Sequence, residues 1–456
     1  MTTTRKTRDT QTDSRSGERD TPMGAARRRM VTTGQWGAGQ FMGRRWPIGC
    51  VALEITQRCN LDCTACYLSD LSESVKDLPL AEVFRRIDRI CEQYGPNTDV
   101  QITGGDPTLR RRDELLAIVR RVRDKGMRPT LFTNGIRARR ELLRELADAG
   151  LVDVAFHVDM TQRRRGYDSE IALNALRQQY IERVRGLPIS VMFNTTVYEG
   201  NFDQIPDVVA FFVRNSDMVR LASFQTAAQV GRSVLGRMPA RISSTSVQRQ
   251  IEAGAGTRLS FDPARIGHAQ CNRYAMAFVT NGNAFDVFDD KKLFDDVLER
   301  TAHLQFDRNR PAVAVRTFVR GILSSPSLTL RGAGWLARKA WQAKADLLRA
   351  RGRVHKLSFF VHNFMEPGGL DPERIDACVF TIATADGLMS MCQHNANRSA
   401  HILQPVRLRS DQGERFWDPL SGELHEHPIS WDPRADALPP KRNGRIRRAA
   451  DAAVNA

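Results

Sequence analysis

The stretch Glu54-Ile55-Thr56-Gln57-Arg58-Cys59-Asn60-Leu61-Asp62-Cys63-Thr64-Ala65-Cys66-Tyr67 sets three cysteines in the order Cys-x3-Cys-x2-Cys directly behind a β-branched run at 51–56. Thiolates are the usual ligands of iron–sulfur clusters. Three of them can hold three irons of a cubane and leave the fourth iron open to a small molecule. A structural zinc site wants four ligands, and this loop offers no fourth Cys or His. Cys50 is near in sequence but precedes the strand, at its opposite end. Cys59, Cys63 and Cys66 are therefore read as the ligands of a [4Fe–4S] cluster.

Working outward, the run at 51–56 opens a regular alternation. Strand-like segments at 99–103, 128–133, 152–158, 189–197 and 218–225 are separated by amphipathic segments at 80–91, 113–123, 141–149, 171–184 and 205–213. Leu115, Leu116, Val119 and Val122 recur at helical spacing and leave Arg120, Arg121 and Arg123 outside. Gly126, Gly150 and Gly186 stand where helix C-caps belong. Six βα units in series predict an α/β fold with parallel strands and right-handed crossovers. The functional end of such a sheet lies at the C-terminal ends of its strands, and the cysteine loop falls there.

The quoted stretch resembles the signature of the radical S-adenosylmethionine (SAM) superfamily. That resemblance implies a partial (β/α)6 TIM-like barrel over residues 47–240. It also implies a cluster whose open iron chelates the amino and carboxylate groups of SAM, reductive cleavage of SAM to a carbon radical, and a reducing electron donor of flavodoxin or ferredoxin type. The residue before the last cysteine, often aromatic in the family, is Ala65 here, with Tyr67 following. Tyr67 is taken with the cofactor-binding set. Thr103-Gly104-Gly105-Asp106-Pro107 after the second strand resembles the family's Gly-Gly-Glu motif, which implies that Gly104, Gly105 and Asp106 receive the SAM amino group. Thr133 and Asn134, ending the third strand, are expected near SAM on the same ground. Polar residues at the next strand ends suit a pocket for ribose, carboxylate or substrate: His157 and Asp159, Asn194, and Gln225, followed by Gly231 and Arg232. Each of these could equally be a satisfied structural group. No residue is assigned as catalytic.

Residues 241–438 are less regular and are read as an α+β C-terminal extension forming a further domain. Cys378 and Cys392 flank a strand–turn–strand pattern around Asp386-Gly387, and Cys271 precedes another around Asn281-Gly282. Cys271, Cys378 and Cys392 are candidate ligands of a second iron–sulfur cluster, with His394, His268 or water completing the set. Buried cysteines packing as small apolar groups are the plainer alternative. The run from His362 to Asn395 is similar to the radical SAM subgroup of tetraether-lipid-synthase-like and pterin-methylase-like proteins, though with fewer cysteines. A basic amphipathic segment at 336–348 is expected to pack on its own core, the alternative being a surface for a lipid or acidic substrate.

The chain has 456 residues and a formal net charge of +16, with ten Lys/Arg against four Asp/Glu in residues 1–46 and a basic run from Lys441 to Arg448. Residues 1–46 and 439–456 are read as disordered basic tails. No apolar run is long enough to span a membrane, and no secretory signal is evident, so a cytoplasmic protein is expected. No RNA-binding module is evident, so nucleic acid is not expected as a partner.

Taken together, these features predict an enzyme that forms carbon–carbon or carbon–heteroatom bonds, by alkyl or methyl transfer, on a small-molecule or lipid substrate in biosynthesis. The alternatives are transfer of SAM's 3-amino-3-carboxypropyl group, a ribosomal-peptide maturase, an RNA-modifying enzyme, and a non-catalytic metal protein.

Overall fold

The structure, a computed structural model, describes residues 21–236, 238–410 and 413–429. The expectations for residues 1–20 and 439–456 lie outside them. Helix α1 (Pro22–Thr32) leads into β1 (Cys50–Thr56). There follow α2 (Leu80–Tyr94), β2 (Asp99–Gly104), α3 (Arg112–Asp124), β3 (Arg128–Thr133), α4 (Arg140–Asp148), β4 (Asp153–His157), α5 (Asn174–Val184), β5 (Ser190–Val197), α6 (Ile205–Arg214) and β6 (Val219–Thr226). Beyond this series come α7 (Ser244–Ala255), β7 (Asn272–Thr280), β8 (Asn283–Asp286), α8 (Lys291–Arg300), α9 (Pro311–Leu323), α10 (Pro326–Gln342), α11 (Lys344–Arg349) and β9 (His355–Asn363). The chain continues through α12 (Pro372–Asp376), β10 (Phe380–Ala383), β11 (Leu388–Ser390), α13 (Met391–Ala396), α14 (Arg398–Leu403), β12 (Val406–Ser410), β13 (Gly413–Trp417) and β14 (Leu424–His425).

The six expected strands and five expected helices form within a few residues of the boundaries read from sequence. Their cause is visible in burial. Val51, Leu53 and Ile55 of β1, and Val83, Ile87 and Ile90 of α2, are wholly enclosed in one core with Leu115, Ile118, Val119 and Val122 of α3. Strands covered on both faces read as apolar runs, as parallel strands do.

Eleven strands form one sheet in the order β11-β10-β1-β2-β3-β4-β5-β6-β9-β7-β8. Eight neighbours, from β10 through β9, are parallel. Strand β9 extends the β6 edge and β10 extends the β1 edge. The two edges then meet side chain to side chain: Phe380 lies 5.7 Å from Phe360 and 4.7 Å from His362, ring centre to ring centre. The partial barrel is thus carried from six strands to eight and joined at a seam by aromatic contacts.

Two sequence expectations need correction. Residues 21–46 are not part of a disordered tail. Thr21 caps α1, whose Ala26 and Met30 are fully buried, as are Gln40 and Met42 beyond it. Met30 and Met42 belong to the main core. The polar, Arg-rich composition hid this, because only a few apolar residues are needed to seat a short helix. Within residues 241–429, β7 to β11 extend the main sheet, while β12, β13 and β14 form a small antiparallel sheet of their own, so the boundary read at residue 240 cuts through one sheet. Such pairing joins segments far apart in sequence and leaves no local signal. The segment at 336–348 also departs from expectation: it spans α10 and α11 and turns much of its apolar surface outward.

Candidate active site

The cysteine loop follows β1 and crosses the mouth of the sheet. The backbone behind it explains the paired glycines. Gly105 N donates to Thr56 O at 2.9 Å and Asp106 N to Arg58 O at 2.8 Å. A Cβ on Gly104, which sits at φ +129°, would overlap the Thr56 carbonyl oxygen, and one on Gly105 the Arg58 carbonyl oxygen. What approaches closely at this turn is the cysteine loop itself. Tyr67 closes the loop, its hydroxyl donating to Gly104 O at 2.8 Å.

Two carboxylates hold the strand ends in the same way. Asp106 Oδ1 accepts from Thr108 N at 3.0 Å and from Thr108 Oγ1. Its Oδ2 accepts from Thr133 Oγ1 at 2.8 Å and Asn134 N at 2.9 Å. Asp159 Oδ1 accepts from Thr161 N at 3.0 Å and from Thr161 Oγ1, and its Oδ2 from Thr196 N at 2.7 Å, beside His157 Nε2 at 2.6 Å. Each Asp-x-Thr step caps one short helical turn and reaches across to the end of the next strand, β2 to β3 and β4 to β5. Both aspartates are wholly enclosed. A carboxylate has about four acceptor sites, and those of Asp106 are filled from within. The expected contact from Asp106 to an ammonium group is therefore corrected. With one methylene less than Glu, this carboxyl ties the ends of β2 and β3 together. Thr133 is likewise turned to Asp106, and donates nothing to the mouth. Asn134 does face the loop, its Nδ2 donating to Asn60 Oδ1 at 2.6 Å with Cys59 Sγ 3.9 Å away.

Register arranges the remaining candidates in rows. His157, Asn194, Ser223 and Phe360 are neighbours across β4, β5, β6 and β9, and Thr196, Gln225 and His362 form the next row. The alternate residues Phe156, Phe193 and Phe224 pack against Tyr180 and Phe212 of the covering helices. The rows therefore face the lumen. Asn194 is buried, and its Nδ2 has no hydrogen-bond partner among the described residues. His157 keeps part of its ring accessible.

Burial pushes the Cys59 thiol up to about 12, and burial together with the neighbouring thiols pushes Cys63 far up. Ionisation of Cys59 and Cys63 therefore calls for nearby positive charge, which a bound metal group supplies. Among the described residues no three His, Cys, Asp or Glu side chains converge on a single ion. Three thiols in mutual electrostatic contact suit a multi-atom cluster better than one zinc. Sequence reasoning noted Arg232 beyond the sixth strand but gave it no role. It is buried beneath the loop, its N donating to Leu68 O at 2.9 Å and its guanidinium 3.7 Å from Asp62 and Glu73. Burial alone would lower its pKa, but the Cys66 and Cys59 thiols and Asp62 raise it. Its only sequence signal is a Gly-Arg step soon after the sixth strand.

The C-terminal helices cover the other side of the mouth. Arg398 pairs with Glu54 and stacks 4.6 Å over the Tyr67 ring. His394 lies beside this pair and stacks on His401 at 5.0 Å. Cys271, Cys378 and Cys392 do come together, around a cavity of about 20 Å³ at the seam. His362 lines it too, with Nδ1 3.1 Å from Asn272 Oδ1. Arg374 Nε lies 3.2 Å from Cys271 Sγ. Neither His394 nor His268 lines that cavity. As completing ligands they are corrected: His394 is drawn to Glu54 and Arg398, and His268 accepts from Gln270 N.

Residues 53–212 match the radical SAM superfamily. The chain carries a radical SAM domain. It is 27% identical over 190 residues to the 7,8-dihydro-6-hydroxymethylpterin dimethyltransferase of Methanocaldococcus jannaschii, covering 40% of this chain and 36% of that protein. It is 29% identical over 211 residues to the PqqA peptide cyclase of Bradyrhizobium diazoefficiens, covering 44% of this chain and 53% of that one. The chain thus spans about a third to a half of the length of these relatives. Among solved structures, Streptococcus suis SuiB is 17% identical with a TM-score of 0.34, over 44% of this chain and 45% of that one. The radical SAM family binds a [4Fe–4S] cluster and SAM, and the half-buried thiol trio beside a buried arginine has the donor chemistry for that cluster.

Proposed function

We propose that this protein is a radical SAM enzyme in which Cys59, Cys63 and Cys66 hold a [4Fe–4S] cluster, and that it forms a carbon–carbon or carbon–heteroatom bond on a small-molecule or lipid substrate. The observation that carries this reading is the half-buried thiol trio on the loop that packs against Gly104 and Gly105, with the buried Arg232 guanidinium beside it. When bound, the cluster and SAM supply reductive cleavage of a carbon–sulfur bond and a carbon radical. The protein's task is positioning and exclusion. Arg232 offsets the negative charge that three thiolates bring. Asn60 and Asn134 hold the loop against the end of β3. Backbone carbonyls near Gly104 suit an ammonium group, and the free Nδ2 donor of Asn194 suits a ribose hydroxyl or carboxylate. His157, set by Asp159, is the side chain on the lumen wall best suited to move a proton. Gln225 offers the substrate a further polar contact. Electrons would come from a flavodoxin- or ferredoxin-type donor.

Anaerobic reconstitution, iron and sulfide counting, and chromatography of SAM fragments after dithionite test this. 5′-Deoxyadenosine and methionine are expected, and Cys59→Ala, Cys63→Ala or Cys66→Ala abolishes them. Methylthioadenosine would point instead to 3-amino-3-carboxypropyl transfer. SAM left intact by protein containing iron and sulfide overturns the proposal.

A second cluster at the seam is favoured by one observation: three cysteines from separate elements line one cavity with a half-buried histidine, His362. Burial lowers His362 to about 3. A ring that is neutral, with Nδ1 bound to Asn272, keeps Nε2 as a donor atom. Arg374 would have to leave Cys271. Replacing Cys271, Cys378 and Cys392 by Ala lowers the iron count per chain if the second cluster exists, and leaves it unchanged if it does not.

A further inference from the structure

Nine of the fifteen large hydrophobic residues exposed among the described residues fall between Val313 and Leu348. They belong to α9, α10 and α11, which lie between the edge strand β8 and β9. Within the three helices Leu328 is the one buried residue. Helix α10 shows how the segment is mounted. Leu328, Arg331, Trp335 and Lys339 share one face and hold it to the body, Arg331 pairing with Asp296 and Lys339 and the Trp335 Nε1 meeting Asp289 at 2.8 Å each. Leu330, Ala333, Ala337 and Trp341 lie on the opposite face at helical spacing. Leu330 is 76% exposed and Trp341 71%. Val315, Val319 and Leu323 form a similar exposed stripe on α9, and Leu348 on α11 is 80% exposed.

Water is a poor partner for such a surface, and the charge around it indicates a better one. Residues 311–349 hold seven Lys/Arg against one Asp; Arg331, Arg338, Lys339 and Arg349 meet Asp296, Asp289 and Asp346, which leaves Arg316, Arg320 and Lys344 as the cations to be answered by a partner. Arg316 and Arg320 are exposed beside the α9 stripe, Lys344 Nζ sits 3.6 Å over the Trp341 ring, and Arg349 lies in the last turn of α11. Apolar stripes with Trp and Phe, flanked by cations, suit the interface of a bilayer bearing anionic headgroups. Helices of this length and hydropathy do not cross a membrane, so the mode is a helical arm lying on the surface. We propose that α9–α11 form a docking arm for an anionic phospholipid membrane. A neutral protein groove or a second copy of this chain would leave the cation excess unanswered.

Sedimentation of the full chain with vesicles tests this, using phosphatidylcholine alone and phosphatidylcholine mixed with phosphatidylglycerol. Binding is expected with phosphatidylglycerol and weakens as salt rises. Leu330→Ser with Trp341→Ser abolishes it. Arg316→Glu with Arg320→Glu lowers it by at least tenfold, since each cation lost is worth roughly fivefold at low salt. Tryptophan emission moves to shorter wavelength on adding these vesicles, and Trp341→Phe removes that change. All these positions are exposed, and circular dichroism checks that the variants fold. The proposal is overturned if folded wild-type protein stays in the supernatant. It is also overturned if it binds but the variants bind equally, or if light scattering finds a dimer that Leu330→Ser with Trp341→Ser dissociates while vesicle binding is absent. SAM cleavage is measured without lipid, so failure of this arm and failure of the cluster assignment are separate results.

Discussion

Asp106 and Asp159 serve the site without presenting an oxygen to it. Each charge is held by hydrogen bonds from an i+2 threonine and from the next strand, and bonds to a charged group contribute about 1.5–3 kcal/mol apiece. Asp106→Asn replaces an acceptor by a donor facing Thr133 and Asn134, and costs about 2–4 kcal/mol by that reckoning. SAM affinity, measured by equilibrium binding at a temperature where the variant is folded, falls as the end of β3 loosens; unchanged affinity together with unchanged melting would refute the stitch. Asp159 adds a pH signature. Burial would raise its pKa, but the His157 charge and the hydrogen bonds from His157, Thr161 and Thr196 hold it at about 2, below the ordinary 3.8. A depressed carboxylate contributes stability above its unfolded pKa and loses it as pH falls through the folded one. Roughly 2 kcal/mol at 1.4 kcal/mol per unit should therefore disappear between about pH 4 and pH 2. Denaturant unfolding of wild type against Asp159→Asn over that range checks it, and the gap between the two should narrow toward acid.

Among the elements, α1 is the one whose role is hardest to see from sequence. Met30 and Met42 are its contribution and that of the following turn to the core, in a stretch rich in Gly, Thr and Arg whose Trp36, Phe41 and Trp46 pack against the core only in part. Met30→Ala opens space where no exposure remains, and large-to-small changes of this kind cost about 2–5 kcal/mol. Thermal unfolding measures the loss, and a drop in melting temperature no larger than that of an exposed control such as Val31→Ala would show that α1 does not seat there. The contrast with β1–β6 explains what was legible. A parallel strand covered on both faces must be apolar along its length, so Val51 to Thr56 or Ser190 to Val197 announce themselves. The cysteine loop is legible for a related reason, because metal ligation fixes residue type and spacing together. Asp106 and Thr133 were legible as positions but not as roles, since a ligand-facing carboxylate and a buried one read alike. Arg232 was hidden because a single arginine after a strand is common in an Arg-rich chain.

At the scale of the molecule, the decisive fact is that the last third of the chain supplies the edges of the first half's sheet. Strand β10 covers the open side of β1, the strand that leads into the cysteine loop, and β9 covers β6. Arg398 then comes back over Glu54 and Tyr67 at the mouth. A chain ending at residue 240, the boundary the sequence suggests for the core, would leave β1 and β6 with unpaired backbone along both edges. It would also lack both sides of the aromatic seam, Phe360 and His362 of β9 and Phe380 of β10. Open apolar edges pair with other chains, and a buried acid such as Glu54 without Arg398 is destabilised in its charged form. Residues 1–240 are therefore expected to aggregate or to lack cooperative unfolding, while the full chain runs as a discrete species in size-exclusion chromatography. A soluble, cooperatively folding 1–240 fragment would mean that the two halves are separable after all, and that the seam is a contact between domains rather than a meeting of two ends of one partial barrel.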